Sequence, residues 1–86
     1  MIFFIKQHIN KITINNINDF AIKNNCFLNE IELNVIFNVI RNNYMDILNG
    51  DDGESLTILR NNLSLENYNK IIRLYNEYKV KYQSFL

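Results

Sequence analysis

Few side chains in this sequence have chemistry to offer. There is one histidine, His8, and one cysteine, Cys26. His8 lies four residues after Phe4, beside an apolar stripe. It has no second His or Cys and no well-spaced carboxylate to complete a metal site. Cys26 stands in the run Cys26-Phe27-Leu28 and reads as a small buried hydrophobe rather than a nucleophile. An acidic segment, Asp46, Asp51, Asp52 and Glu54, has the composition of a calcium loop. Such a loop needs oxygen ligands at positions one, three and five, glycine at six and glutamate at twelve. Placing Gly50 sixth puts Met45 first, and placing Gly53 sixth puts Leu48 first. Both frames fail, so the segment reads as a solvated turn whose Asp side chains cap the next helix. The same glycines cradle no phosphate, because Asn49-Gly50-Asp51-Asp52-Gly53-Glu54 sets carboxylates where an anion would sit. Ser55, Ser64 and Ser84 lack a nucleophile-elbow context. No catalytic residue, metal ligand or cofactor is assigned, and no enzyme is expected.

The basic, aromatic C-terminal region is the most distinctive surface. Lys70, Arg73, Lys79 and Lys81 are set against Glu66 and Glu77, with Tyr68, Tyr75, Tyr78 and Tyr82 interleaved. Cations and aromatic rings together can neutralise and stack single-stranded nucleic acid. The tyrosines also belong to a seam, Leu65, Tyr68, Ile71, Tyr75, Tyr78, Tyr82 and Phe85. Its spacing of three and four is the kind used to pack one helix along another. On that reading the lysines face water. Four seam hydroxyls need partners or water, so the helix from Tyr78 onward is expected at a rim or against another chain. The candidate interaction surface is therefore Lys70, Arg73, Tyr78, Lys79, Lys81 and Tyr82.

These residues need a frame, and the stretch from Asn29 to about Asn42 supplies its centre. Leu33, Ile36, Phe37 and Ile40 share one side of a helix, and Val35 and Val39 widen it. The apolar arc covers roughly 200° of the helical wheel, more than the stripe of an ordinary surface helix. Several neighbours must cover such a helix. Asn29 and Glu32 have capping-box spacing, and Leu28 with Leu33 fits a hydrophobic staple. Asn42-Asn43 is expected to end this helix, leaving Tyr44 to Asn49 to tuck under the core as a short turn of helix or an irregular loop. Ahead of it, Ile2, Ile5, Ile9 and Ile12 predict a first helix over residues 2–12. Thr13 caps a second, from about Ile14 to Asn25, and Asn24-Asn25 stops it through the left-handed conformation that Asn tolerates. After the glycines a fourth helix runs from Asp51 or Asp52 to Asn62, lined by Leu56, Leu59 and Leu63. Ser64 caps a fifth, from Leu65 to about Gln83.

The chain has 86 residues, 48% hydrophobic, with nine Lys plus Arg against nine Asp plus Glu. That length suits one domain, residues 1–86, with a core that needs no disulfide. Zero net charge gives no overall field to gather nucleic acid or an anionic membrane. The opening apolar run is too short for a signal peptide or a membrane span, and a single cysteine excludes an intrachain disulfide. A cytoplasmic protein is expected. The fold expected is all-α, a compact bundle of four to five short helices around the central apolar helix.

The layout also resembles the YqfT-like family of short uncharacterised Bacillales proteins. The matching pieces are F-I-K-Q-H-I-N-K-I-T, D-F-A-I-K, L-N-E-I-E-L-N-V-I-F-N-V-I-R-N-N, D-I-L-N and L-S-L-E-N-Y-N-K-I-I-R-L-Y-N-E-Y. The Asn-rich surface, the lack of proline near helix starts and the long Tyr-rich tail depart from that pattern. The resemblance implies a small all-α cytoplasmic protein and brings no site residues. The function expected is a non-enzymatic interaction or accessory protein that binds a protein partner or itself through a helical face. The alternative is a nucleic-acid-binding module using the C-terminal helix.

Overall fold

The computed structural model describes residues 9–82. Residues 9–11 are helical, and four further helices follow: α1 (Ile14–Lys23), α2 (Glu30–Leu48), α3 (Gly53–Asn62) and α4 (Leu65–Tyr82). There is no strand among the described residues, so the expected all-α bundle is what forms. The start of the predicted first helix, with His8, lies outside the described residues. No described helix is long and apolar enough to cross a membrane.

Local chemistry sets most of the helix ends. Thr13 and Asn16 form a reciprocal capping box at the start of α1, each side chain accepting from the other's backbone N–H at 3.1 Å. At the far end Asn25 has φ +59°, the left-handed region. The Cys26 N–H then donates to the Ala21 carbonyl at 2.8 Å and the Asn25 N–H to that of Ile22 at 3.0 Å. This is a full Schellman closure with Asn in the place usually taken by Gly. Its two flanking side chains, Ala21 and Cys26, are both buried.

α2 does not stop at Asn42-Asn43. It continues to Leu48, where Gly50 at φ +83° closes it in the same way through Asp51 N–H to Asp46 carbonyl, 2.8 Å. The reason is tertiary. The inward stripe runs Ile36, Ile40, Asn43, Ile47, and Asn43 is used within it, its amide donating to Ser55 Oγ at 3.1 Å. Ile47 then packs on the core. A polar residue that spends its hydrogen bonds on a neighbouring helix costs little there, and packing overrides the weak propensity of Asn.

α2 is the central post. Its Ile36 and Val39 meet Leu59 of α3 and Leu63 at the C-cap that follows it, with Ile17, Leu28, Ile40, Tyr68 and Ile71 packed around them. In α3 the buried positions are Ser55 and Leu59, while Leu56 is half-buried. α4 keeps Tyr68 and Ile71 of its expected seam against the core. The seam's first residue, Leu65, is 74% exposed, and the buried positions beside it are Asn67 and Leu74. The backbone of α4 leans on α3, and no Cα of α1 or α2 comes within 8 Å of one in α4 over the described residues.

Two isoleucines of α2 test this packing. Ile36→Ala is expected to lower unfolding free energy by about 3 kcal/mol. Ile31→Ala, at 70% exposure, should stay within about 0.5 kcal/mol of wild type. Urea unfolding followed by circular dichroism measures both; equal costs would contradict the assignment of faces.

Candidate functional site

Of the six residues expected to form an interaction surface, Lys70 and Arg73 lie about 60° apart around α4, on the same side. At about 100° per residue, Lys70 and Lys79 lie about 180° apart around the helix. Lys70 Nζ sits 3.3 Å from Glu66 Oε1 and donates to the Asn25 carbonyl at 2.9 Å. It thereby ties α4 to the C-terminal, electronegative end of α1. Lys79 Nζ lies 3.7 Å from Asp52 Oδ2 and over the Tyr75 ring. Arg73, one turn on from Lys70, is exposed. Tyr78 is 39% exposed and meets Phe20 edge-on, ring centroids 5.4 Å apart. Backbone positions 81 and 82 complete α4; the side chains of Lys81 and Tyr82 lie outside the description.

Asp52 was expected to cap α3. It stands at the N-cap position, but its side chain makes no cap hydrogen bond. Its Oδ2 instead accepts the Tyr75 hydroxyl at 2.8 Å. Burial, this hydrogen bond and the charge of Asp52 push the Tyr75 hydroxyl up to about 12, so it remains a neutral donor.

A more elaborate cluster forms at the opposite end of α4, around Glu32. This side chain is 4% exposed yet carries a carboxylate. Its Oε1 accepts from the Asn29 N–H at 3.1 Å and from the Asn67 amide at 2.9 Å; its Oε2 accepts from the Ser64 N–H at 2.9 Å. The Asn67 amide also donates to the Phe27 carbonyl at 3.0 Å, and its backbone N–H to Ser64 Oγ at 3.2 Å. Burial pushes the Glu32 carboxyl up, but the Ser64 and Asn29 N–H groups and the Asn67 amide more than compensate and hold it below its ordinary value. Cys26 lies beneath, wholly buried, its Sγ 3.8 Å from Asn67 Oδ1. Burial pushes its thiol up, against the pull of the Lys70 ammonium. A thiol so placed is a poor nucleophile.

The buried cluster controls what stands outside it. Phe27 supplies a carbonyl to the cluster, Ile31 adjoins Glu32, and Leu65 adjoins Ser64. These three side chains are 67%, 70% and 74% exposed, well beyond any other large apolar residue described, the next being Ile22 at 47%. Glu30 and Glu66 stand beside Ile31 and Leu65, and both are exposed. The α1–α2 and α3–α4 links thus come together at one end, displaying three apolar side chains with two carboxylates beside them. Glu32 was visible in the sequence only as part of a local capping box, and Asn67 carried no signal at all. Nothing local announced that one would bond the other.

Among the described residues no group of three or more His, Cys, Asp or Glu is placed to hold a metal ion. Comparison of the chain with protein-family models, with curated proteins and with solved structures gives no match.

The Glu32 cluster carries a pH prediction. A group whose folded pKa lies below its unfolded value adds stability above the unfolded value and loses it as pH falls through the folded one. Wild type should therefore lose stability on acidification below the ordinary carboxyl value of 4.5. Glu32→Gln should cost about 2 kcal/mol at neutral pH and flatten that acid limb. Urea midpoints between pH 7 and pH 3 give both quantities; parallel pH profiles would count against the assignment.

Proposed function

We propose that this chain is a small non-enzymatic interaction module that docks a protein partner through the Phe27, Ile31 and Leu65 end of the bundle. The observation that carries this is the exposure of three large apolar side chains around a fully hydrogen-bonded buried cluster. Contiguous exposed apolar patches of a few hundred Å2 mark interaction sites. The anchors protrude and their backbones are fixed, so ordering them on binding costs little further entropy. Glu30 and Glu66 favour a partner surface with apolar pockets and cations at their rim. Even doubled by a two-fold axis, three side chains a side fall short of the ~1,200 Å2 of a standard interface, so a different protein fits better than a second copy.

The non-enzymatic part rests on the sealed Cys26 and on the buried Glu32 carboxylate, both of whose oxygens are already taken by hydrogen bonds. A cytoplasmic setting fits a single cysteine kept as a buried thiol. A YqfT-like affiliation fits the same all-α frame. The nucleic-acid alternative is not favoured by the geometry, since Lys70 and Lys79 each lie against a carboxylate and stand on opposite sides of α4.

The double variant Ile31→Asp, Leu65→Asp should keep the wild-type urea midpoint within about 0.5 kcal/mol and lose the proteins that immobilised wild type retains from an extract of its source. Quantitative mass spectrometry of the two captured sets is the measurement. Identical sets would sink the proposal. Light scattering of wild type alone is expected to report a monomer.

A further inference from the structure

Behind the helix faces lies a cavity of about 400 Å3 that the interaction patch does not involve. Its wall is almost entirely apolar, with Phe20 of α1, Ile36 and Ile40 of α2, Leu56 of α3, and Leu74 and Tyr78 of α4 among the lining side chains. It exists because α4 rests its backbone on α3 alone, while α1 reaches α4 through the Phe20–Tyr78 ring contact. Phe20 and Tyr78 are 37% and 39% exposed, so the cavity meets solvent beside them. Well-packed interiors contain few voids larger than a water molecule. A volume of this size lies in the range of ligand pockets, about 300 to 1,000 Å3.

Among the described residues the wall has one charged member, Asp52. It is half-buried. Its Oδ2 is taken by Tyr75 and faces Lys79, while its Oδ1 accepts no hydrogen bond from the described residues. Tyr75 and Ser55 add hydroxyls to the wall, and Ser55 Oγ already accepts from Asn43. An apolar chamber with a single carboxylate at its edge complements a molecule with a hydrocarbon body and a positively charged head.

We propose that this cavity binds a single-chain cationic amphiphile, its alkyl body between α1 and α4 and its ammonium group against Asp52. The body displaces water from apolar wall, which drives entry, and the head gains a charge-assisted hydrogen bond at a site partly withdrawn from solvent. The carboxylate sets selectivity for the head, while the apolar walls accept any body of suitable length.

The test uses the intact chain and three probes of equal length, decylamine, decanol and decanoic acid, each below its micelle concentration at pH 7. Calorimetry should give saturable one-to-one binding of decylamine, at least tenfold tighter than that of either other probe. Amide shifts on titration should centre on Phe20, Ile40, Leu56 and Leu74. Asp52→Asn should remove the tenfold preference. Should that variant fail to fold, Tyr75→Phe decides instead, since it leaves the carboxylate in place without its internal donor and should bind decylamine at least as tightly as wild type. Absence of saturable binding, equal or tighter binding of decanoate, or shifts centred on Phe27, Ile31 and Leu65 would each overturn the proposal. The last outcome would show the probe on the protein-docking end, and loss of that docking function would leave the cavity result untouched.

Discussion

One buried carboxylate governs how the parts of this molecule meet. A charge that is withdrawn from water must be surrounded by donors, because an unmatched one costs several kcal/mol. Glu32 finds its donors on three segments: its own cap at Asn29, the α3–α4 link at Ser64, and α4 itself at Asn67. Each donor is part of a helix start, so the orphan N–H groups that helix ends leave behind become the fastening. The interaction specifies register as well as proximity, since moving α4 by one residue would carry Asn67 away and strip the carboxylate of its donor from that helix.

The rest of α4 follows from that anchorage. Lys70 joins it to the end of α1, and further along Tyr75 reaches Asp52 ahead of α3. The helix is thus fixed at points by polar contacts and covered by apolar ones only in part. Leu74 is its one buried apolar side chain among the described residues. A helix fastened in this manner can span a gap that continuous side-chain packing would have closed. The same economy leaves Leu65 outside, because Asn67 takes the inward direction.

Much of this frame was legible in the sequence. The caps of α1 and α2, the left-handed stop at Asn25 and the burial of Cys26 all rest on short-range chemistry, and all appear where the residues put them. The failures share one cause. Asn43 looked like a helix terminator and Asp52 like a cap, because each was judged by its neighbours in the chain. In the folded protein each is committed to a residue far away, Ser55 and Tyr75 respectively. Polar side chains at interior positions break the apolar periodicity on which sequence inference depends, so a chain rich in Asn conceals its long-range contacts more than its helices. The exposed apolar end was hidden for a related reason: its three residues lie in three different segments, and only the Glu32 cluster assembles them.

The placement of Cys26 has a kinetic consequence. Its sulfur lies under the Asn67 side chain with no solvent exposure, so an alkylating reagent reaches it only when the start of α4 lifts away. The chain has no other thiol. Its alkylation rate therefore clocks that single opening event, separating local fraying of one helix from unfolding of the whole molecule.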